Sequence, residues 1–528
     1  MTAGSALSGL PLEAVRSAAL GRASELGCSH AGVRIERIRS QVVALRDGGV
    51  ETASDDVELG VGLRVVHQGR IGFAATVEVH PDAAAALADQ AVEMARATSL
   101  AAAVAPPVEL AGEPVYPGLT WEGGGGRSVD PTEVPLSDKV ALLSDWSGRL
   151  LGAAGVDHVR AWVMAVAEDK HYADSAGTVT TQSRVRMHPV LEAVSVAGDG
   201  SFTTMRTLAP PVGRGWEYLA GGGAGPAGYG GGRPGGVGAG GGGGAWDWDA
   251  ELAQLPELLA EKSRAPSVEA GTYDLVVDPS NLWLTIHESI GHATELDRAL
   301  GYEAAYAGTS FATFDQLGSL RYGSPVMHVT GDRTTPHGLA TVAWDDEGVE
   351  AQSFDLVRDG VLVGYQLDRA MAAANGFGRS NGCAFACSPL LVPMQRMANV
   401  SLQPAPGPGP GPTTAELWAG VERGIYVVGD KSWSIDMQRY NFQFTGQRFY
   451  RIEKGRLAGQ LRDVAYQART TDFWGSMEAV GGASTWVLGG AFNCGKGQPG
   501  QIAPVSHGCP SGLFRGVNVL NTRAEAGR

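Results

Sequence analysis

Two histidines and a glutamate near the middle of the chain form a pattern that can bind and use a metal ion. The segment His287-Glu288-Ser-Ile-Gly-His292 is a His-Glu-x-x-x-His string. Zinc hydrolases commonly place two metal-binding histidines on one helix, with a glutamate beside the first. In that chemistry the imidazoles hold the metal and the glutamate takes a proton from water. The string therefore predicts metal-assisted hydrolysis with Glu288 as the general base. The alternative is a capped core helix whose histidines are incidental.

The two histidines are one residue further apart than is usual for such a site. At about 3.6 residues per turn, a separation of five residues leaves the second imidazole roughly 140° away from the first. A π-type bulge would return both histidines to one face, and such bulges are frequent at functional sites. Gly291 directly precedes His292 and can relax that turn cheaply. The alternative is that the helix ends at this point.

A catalytic zinc ion needs a third protein ligand and an open position for water. The residue types leave the third ligand open among nearby carboxylates and five other side chains: Cys494, Cys509, His507, His328 and His337. Of these, Cys494 lies in a polar, glycine-flanked turn after a predicted strand. Glu295 and Asp297 follow the motif closely, so they either orient the imidazoles or belong to a solvated helix end.

Hydrophobic patterns predict the elements that position these residues. Helical periodicity predicts helices over residues 12–26, 81–103 and 137–152, and alternation predicts strands over 32–45 and 58–77. A charged residue followed by Gly between apolar runs predicts hairpins within 42–50, 354–363 and 449–457. We therefore expect an α+β fold. A mixed N-terminal domain would span 1–215, and a largely antiparallel, β-rich C-terminal domain carrying the metal-binding helix would span 249–528.

A glycine-rich stretch separates the two predicted domains. Residues 221–244 contain 16 glycines and almost no side chain that can bury area, so we predict a flexible linker or insertion over residues 216–248. Its Gly-x-Gly-x-x-Gly-like spacings do not indicate a dinucleotide site, because no strand precedes them. A second low-complexity segment, residues 404–412, alternates Pro and Gly and predicts a stiff surface loop.

Composition and charge exclude several classes of partner. The chain has 528 residues, of which 41 are basic and 56 acidic, giving a net charge of −15 that argues against nucleic acid. The chain has five cysteines, which is a small and odd number for its length and argues against a disulfide scaffold. The sequence shows neither a secretory leader pattern nor an apolar run long enough for a membrane helix. We therefore expect a cytoplasmic protein that binds neither nucleic acid nor membrane.

Taken together, these segments resemble the TldD/PmbA (TldD/TldE) family of zinc-dependent peptidases, over nearly the whole chain. The resemblance rests on the motif helix and on four further segments: Gly60-Val-Gly-Leu-Arg-Val, Pro393-Met-Gln-Arg-Met-Ala-Asn, Gly424-Ile-Tyr-Val-Val and Phe492-Asn-Cys-Gly-Lys. It implies Zn²⁺ held by His287, His292 and Cys494, with Glu288 as general base. The glycine-rich tract and the Pro-Gly repeat depart from the family pattern. Cys383 and Cys387 match nothing in it, and we interpret them as core or surface thiols.

The resemblance also implies a setting for the reaction. In this family a metal-bearing TldD-like subunit pairs with a TldE-like subunit that lacks the motif, and this chain is similar to the TldD-like type. It implies hydrolysis of short or unfolded peptides in a closed chamber, by a heterodimer with a TldE-like subunit or by a homodimer. For the oxyanion the sequence leaves His337, His507 and Tyr440 open. The alternative function is a non-catalytic assembly or regulatory subunit of a peptidase complex.

Overall fold

The computed structural model of the protein describes residues 5–101, 106–123, 129–220 and 246–526. The predicted α+β class is confirmed, since helices and largely antiparallel sheets occur throughout this part of the chain. The core of the predicted linker, residues 221–244, lies outside the described residues. Among the described helices, none has the length and apolar character that a membrane-spanning helix needs.

The first part of the chain forms a seven-stranded sheet. Its strands are β1 (His30–Arg46), β2 (Gly49–His67), β3 (Arg70–Thr76), β4 (Pro117–Glu122), β5 (His158–Asp174), β6 (Val179–Val196) and β7 (Phe202–Arg206). The spatial order is β3-β2-β1-β5-β6-β4, with β7 also paired to β6. Only β4 runs parallel to its neighbour. The long hairpins β1–β2 and β5–β6 therefore form the centre of this sheet.

Helices cover this sheet and bury its apolar side chains. They are α1 (Leu12–Glu25), α2 (Pro81–Ala101), α3 (Leu136–Leu151), α4 (Glu217–Ala220) and α5 (Trp248–Arg264). The first two pack on β1 and β2, whereas α3 and α5 pack on β5 and β6. Trp146 of α3 stacks on Trp248 of α5, with ring centroids 4.7 Å apart. The predicted domain boundaries lie at residues 215 and 249. Helix α5 falls almost entirely within the predicted C-terminal domain but packs on the sheet of the N-terminal domain.

The second part is built mainly of strands and short helices. The strands are β8 (Gly271–Val277), β9 (Val329–Asp332), β10 (Ser353–Arg358), β11 (Val361–Leu362), β12 (Ala384–Phe385), β13 (Met394–Gln395), β14 (Asn399–Leu402), β15 (Arg423–Ile435), β16 (Asn441–Glu453), β17 (Arg456–Leu461), β18 (Val464–Arg469), β19 (Met477–Val480), β20 (Val487–Lys496), β21 (Gln501–Cys509) and β22 (Gly512–Asn521). The helices are α6 (Pro279–Ile286), α7 (Leu296–Ala299), α8 (Arg369–Ala374), α9 (Thr414–Ala419), α10 (Thr470–Gly475) and α11 (Thr522–Glu525).

The largest sheet of this second part closes on itself. The strands run in the order β15-β8-β22-β18-β16-β17, and an additional pairing between β15 and β16 completes the ring. Helix α6 follows β8 and packs between this ring and the separate hairpin β20–β21. The His-Glu-x-x-x-His motif follows α6 directly, so the ring and the hairpin pack against it from two sides.

The three predicted hairpins are confirmed, each at a pair of residues with positive φ. The pairs are Asp47-Gly48, Asp359-Gly360 and Lys454-Gly455, joining β1 to β2, β10 to β11 and β16 to β17. Turns with two left-handed residues match the right-handed twist of the flanking strands. Glycine at the second position adopts this conformation at no steric cost.

Buried ion pairs join the two parts of the chain. Arg34 of β1 donates to Asp346 at 3.2 Å and also contacts Glu36 at 3.1 Å, while Lys170 of β5 contacts the same two carboxylates. All four side chains are buried. Charges removed from water in this way are tolerated only when they are paired in a defined geometry. The pairing therefore fixes the N-terminal sheet against the second part, where the motif lies.

One buried histidine of the N-terminal sheet gives a test of this packing. Burial lowers the pKa of His171 from 6.5 to about 4. As the pH falls, the unfolded chain therefore takes up the proton before the folded chain does. The free energy of unfolding keeps its full value above pH 6.5 and decreases as the pH falls towards 4. Between pH 7.5 and pH 5 this loss amounts to about 2 kcal/mol. His171→Gln should lose that much less stability over the same interval in chemical unfolding experiments. His80→Gln, at an exposed position, is the control, and equal losses in wild type and His171→Gln would contradict the expectation.

Candidate metal centre

Helix α6 begins at a side-chain cap and carries the chain into the motif. Asp278 precedes the helix and its Oδ1 accepts a hydrogen bond from the Ser280 N–H at 3.0 Å, with Pro279 as the first helical residue. Asn281 is buried and donates to the carbonyls of Gly429 and Thr445, at 2.9 and 3.0 Å. These bonds tie α6 to the closed sheet.

The motif itself is a π-helical turn over His287–Gly291. The His292 N–H donates to the carbonyl oxygen of His287, five residues earlier, and a short 3₁₀ turn over His292–Thr294 follows. A bond over five residues places the first and last residues of the turn one above the other. The predicted π-type bulge is thus confirmed, and it brings the two imidazoles onto one side, with ring centroids 4.8 Å apart.

Gly291 is required by a close contact. Its backbone is ordinary right-handed helix, with φ −52° and ψ −58°, so the expectation that glycine relaxes the turn is wrong. A Cβ at this position would lie 2.5 Å from the sulfur of Met397, a buried side chain. The segment between β13 and β14 therefore packs directly against the motif backbone.

The structure brings three of the predicted residues together. One donor atom from each of His287, His292 and Cys494 lies within 4.8 Å of the others, and Nε2 of His292 is 3.5 Å from Sγ of Cys494. All three side chains are buried. Cys494 lies on β20, directly after a register shift in its pairing with β21, and such bulges re-aim side chains. Two imidazole nitrogens and one sulfur suit tetrahedral zinc with one open position.

Hydrogen bonds define which nitrogen of His287 is free. Nδ1 of His507 lies 2.9 Å from the Val400 carbonyl, which can only accept, so this nitrogen carries the proton. Burial lowers the pKa of His507 far below its usual range, so the ring is neutral and its Nε2 is an acceptor. Nδ1 of His287 lies 2.7 Å from that Nε2 and must therefore donate to it. Nε2 of His287 keeps its lone pair for a ligand.

His292 is oriented in the same way by a carboxylate. Its Nδ1 lies 3.0 Å from Oε2 of Glu295, which leaves Nε2 unprotonated on the side of Cys494. Glu295 in turn accepts from Arg298 at 3.2 Å and from Lys496 at 3.1 Å. Asp297 does not reach an imidazole; it accepts from Lys496 at 2.8 Å. Lys496 and Cys494 share strand β20, so one strand supplies both the sulfur and this support.

Local electrostatics set the protonation of the three donors. Burial lowers the pKa of both His287 and His292, which favours neutral rings. Burial alone would raise the pKa of the Cys494 thiol, but the neighbouring His292 and Arg396 outweigh it and lower that pKa. Metal ions bind neutral imidazole and thiolate, so these shifts favour the ligand-competent forms.

The remaining predicted candidates are not members of this group of three donors. Cys509 is buried beside the Pro279 carbonyl at 3.6 Å, and His328 pairs with Asp355 at 3.2 Å. His337 contacts the Gly213 carbonyl at 3.3 Å. His507 contacts the Nδ1 atom of His287 and not its free Nε2. The ring of Tyr440 packs on Phe311 with centroids 5.3 Å apart. Of the two unmatched cysteines, Cys383 is buried and Cys387 is partly buried.

A cavity of about 320 Å³ opens beside the three donors. His188 of β6 belongs to its wall, so both parts of the chain enclose it. Glu288 also lines it, together with His287, His292 and Cys494. Most of β20 forms one side, including Gly489 and Gly490, and in the described chain this strand pairs only with β21. Residues of β20 therefore form a wall of the cavity.

Two polar neighbours of the site were missed by the sequence analysis or assigned other roles. Arg439 donates to Oε2 of Glu288 at 3.3 Å. His507, considered above as a ligand or an oxyanion group, contacts His287 instead. Both lie more than 150 positions from their partners along the chain, and nothing in their local sequence distinguishes them from other polar residues.

Comparisons with known proteins agree with this architecture. Models of the PmbA/TldA metallopeptidase C-terminal domain and of PmbA/TldA metallopeptidase domain 1 match residues 270–521 and 31–95. A metalloprotease of Methanothermobacter thermautotrophicus is 26% identical over 509 residues, covering 93% of this chain and 96% of the relative. A zinc metalloprotease TldD homolog of Saccharolobus solfataricus is 25% identical over 266 residues, covering 50% and 55%. The crystal structure of TldE from Thermococcus kodakarensis shares the fold, with a TM-score of 0.66 at 15% identity, covering 96% and 99%.

The packing at Gly291 leads to a prediction about stability. Gly291→Ala should destabilise the protein by about 1–3 kcal/mol, because the added methyl group meets Met397 in a filled core. The double variant with Met397→Ala should cost less than the sum of the two single changes, since the smaller side chain makes room. Gly148→Ala is a matched control, because its Cβ would meet nothing within 4 Å on helix α3. Chemical unfolding gives the free energy of unfolding of the wild type, the two single variants, the double variant and the control. If the losses in the two single variants add up to the loss in the double variant, the contact between position 291 and Met397 is contradicted.

Proposed function

This chain belongs to the TldD/PmbA metallopeptidase family, and from that premise we propose that it is a zinc-dependent peptidase acting on short or unfolded peptides. The observation that carries the proposal is the meeting of His287, His292 and Cys494 at one point, with the two nitrogens free of protons. This donor set suits zinc better than the hard cations Mg²⁺ and Ca²⁺, which prefer oxygen ligands. Glu288 borders the same cavity and completes the group needed for hydrolysis.

The residues around the donors have separate tasks in the proposed reaction. When bound, zinc acidifies water and polarises a peptide carbonyl. Glu288 takes a proton from the attacking water and passes it to the leaving amine. His507 and Glu295 fix the two imidazole rings by holding their Nδ1 protons. Burial of the donors excludes water from all sides except the cavity.

The cavity supports a preference for extended substrates. A space of about 320 Å³ beside buried donors admits a strand of peptide and excludes a folded domain. In the described residues β20 pairs only with β21, and Gly489 and Gly490 of this strand line the cavity, so a substrate can add there as a further strand. Such binding contacts the peptide backbone more than the side chains, which suits broad specificity.

The assembly state forms part of the proposal. A TldE-like subunit or a second copy of this chain would close the cavity into a chamber. The competing function is a non-catalytic subunit, which would use the same fold without metal. A purified protein that takes up no zinc when zinc is supplied would favour that second function.

The role of Glu288 leads to a direct prediction. Glu288→Gln should retain one zinc per chain and lose about 100- to 10,000-fold in peptide hydrolysis, because a positioned base contributes that much. Elemental analysis of the purified protein and cleavage of unfolded casein measure the two properties. His292→Ala is the matched comparison and should lose both. Retained turnover in Glu288→Gln would exclude it as the base.

The hydrogen bond from His287 to His507 leads to a second prediction. His507→Leu removes the acceptor for the Nδ1 proton, so zinc affinity should fall about 10- to 100-fold. In His507→Gln the amide oxygen can accept the same proton, and affinity should lie closer to wild type. Competition with a chromophoric chelator measures the affinities. Equal losses in both variants would show that this bond does not support the ligand.

A further inference from the structure

Arg439 has a backbone conformation that its residue type rarely adopts. It lies in the tight loop between β15 and β16 with φ +63°. Residues with a Cβ seldom occupy this left-handed region, whereas glycine enters it without steric cost. Residues that retain such a conformation are often found at functional sites, where the rest of the structure holds them.

The loop holds its shape through contacts that do not involve that side chain. Oδ1 of Asp436 accepts from the backbone N–H groups of Gln438 and Tyr440, at 3.1 and 2.8 Å. The Thr470 hydroxyl donates to the Arg439 carbonyl at 2.7 Å, and the Thr309 N–H donates to the Met437 carbonyl at 2.7 Å. Replacing the side chain therefore leaves the bonds that shape the loop in place.

The guanidinium group reaches the proposed general base. Nη1 of Arg439 lies 3.3 Å from Oε2 of Glu288, and Nη2 donates to the Ala307 carbonyl at 3.2 Å. The arginine side chain is 13% exposed and that of Glu288 is 8% exposed. In the described part of the chain, Glu288 makes no other side-chain hydrogen bond. One carboxylate oxygen is thus held, and the other is left for the reaction.

We propose that Arg439 is a positioning residue, which fixes Glu288 so that its free oxygen faces the metal-bearing cavity. This inference rests on the proposed peptidase function. The guanidinium group is itself anchored on the Ala307 carbonyl, so the carboxylate is held from a fixed point. A general base that rotates freely is seldom in place for proton transfer, and small misplacements of catalytic groups are costly.

The left-handed conformation of Arg439 makes glycine a suitable replacement with which to test its side chain. Arg439→Gly removes the guanidinium group while giving the left-handed backbone the residue that suits it. We expect a folded protein with unchanged zinc content and a kcat on unfolded casein reduced about 100-fold, with little change in KM. Arg439→Lys keeps a donor and should recover part of the loss. Millimolar guanidinium should partly restore kcat in Arg439→Gly and have no such effect on Glu288→Gln.

A matched control places glycine at another residue with a left-handed backbone conformation, away from the site. Gln68 lies in the turn between β2 and β3 with φ +50° and is exposed. Gln68→Gly should leave kcat unchanged. If Arg439→Gly turns over casein at the wild-type rate, or loses kcat only together with its zinc, the positioning role is overturned.

Crystal structures of the metal-free wild type and Arg439→Gly provide a readout that needs no activity. The proposal predicts that the Glu288 carboxylate leaves its position or becomes disordered in the variant while the loop and both histidines stay in place. An unmoved Glu288 would overturn it. Failure of the peptidase proposal shows itself differently, as a wild-type protein that neither binds zinc nor cleaves casein.

Discussion

The candidate site depends on one local constraint, which is that two histidines five residues apart must offer nitrogens to the same point. A regular α-helix turns them away from each other, and the π-turn over His287–Gly291 removes that obstacle. The turn needs support, because it interrupts the regular helical ladder. It receives this from the closed sheet through α6 and from the segment at Met397, which leaves room only for glycine at position 291.

Burial explains why so many polar residues surround this turn. Each buried polar atom without a partner is costly, so the Nδ1 proton of each imidazole has its own acceptor. For His287 the acceptor is a neutral histidine held by a backbone carbonyl; for His292 it is a carboxylate held by Arg298 and Lys496. The two rings are thus fixed by groups of different charge. Strand β20 contributes to both the ligand set and its support, which makes it the second structural requirement of the site.

Much of this arrangement could be predicted from local sequence, and the failures have a common cause. Hairpins at Asp-Gly and Lys-Gly pairs and the helices α1, α2 and α3 follow from short-range patterns, and the π-turn follows from counting residues between histidines. The contact between Gly291 and Met397 and the partners His507 and Arg439 depend on where distant segments meet. Gly291 shows the limit well, since its backbone is ordinary and only Met397, far away in sequence, explains the residue.

X-ray absorption at the zinc edge of the purified, zinc-loaded chain identifies the ligands of the metal. Zinc held by His287, His292 and Cys494 should show a single sulfur ligand at about 2.3 Å and two imidazole ligands at about 2.0–2.1 Å, with a further light atom in the open position. The sulfur contribution should disappear in Cys494→Ser. A spectrum with no sulfur, or with zinc bound only by oxygen, would contradict the proposed metal centre.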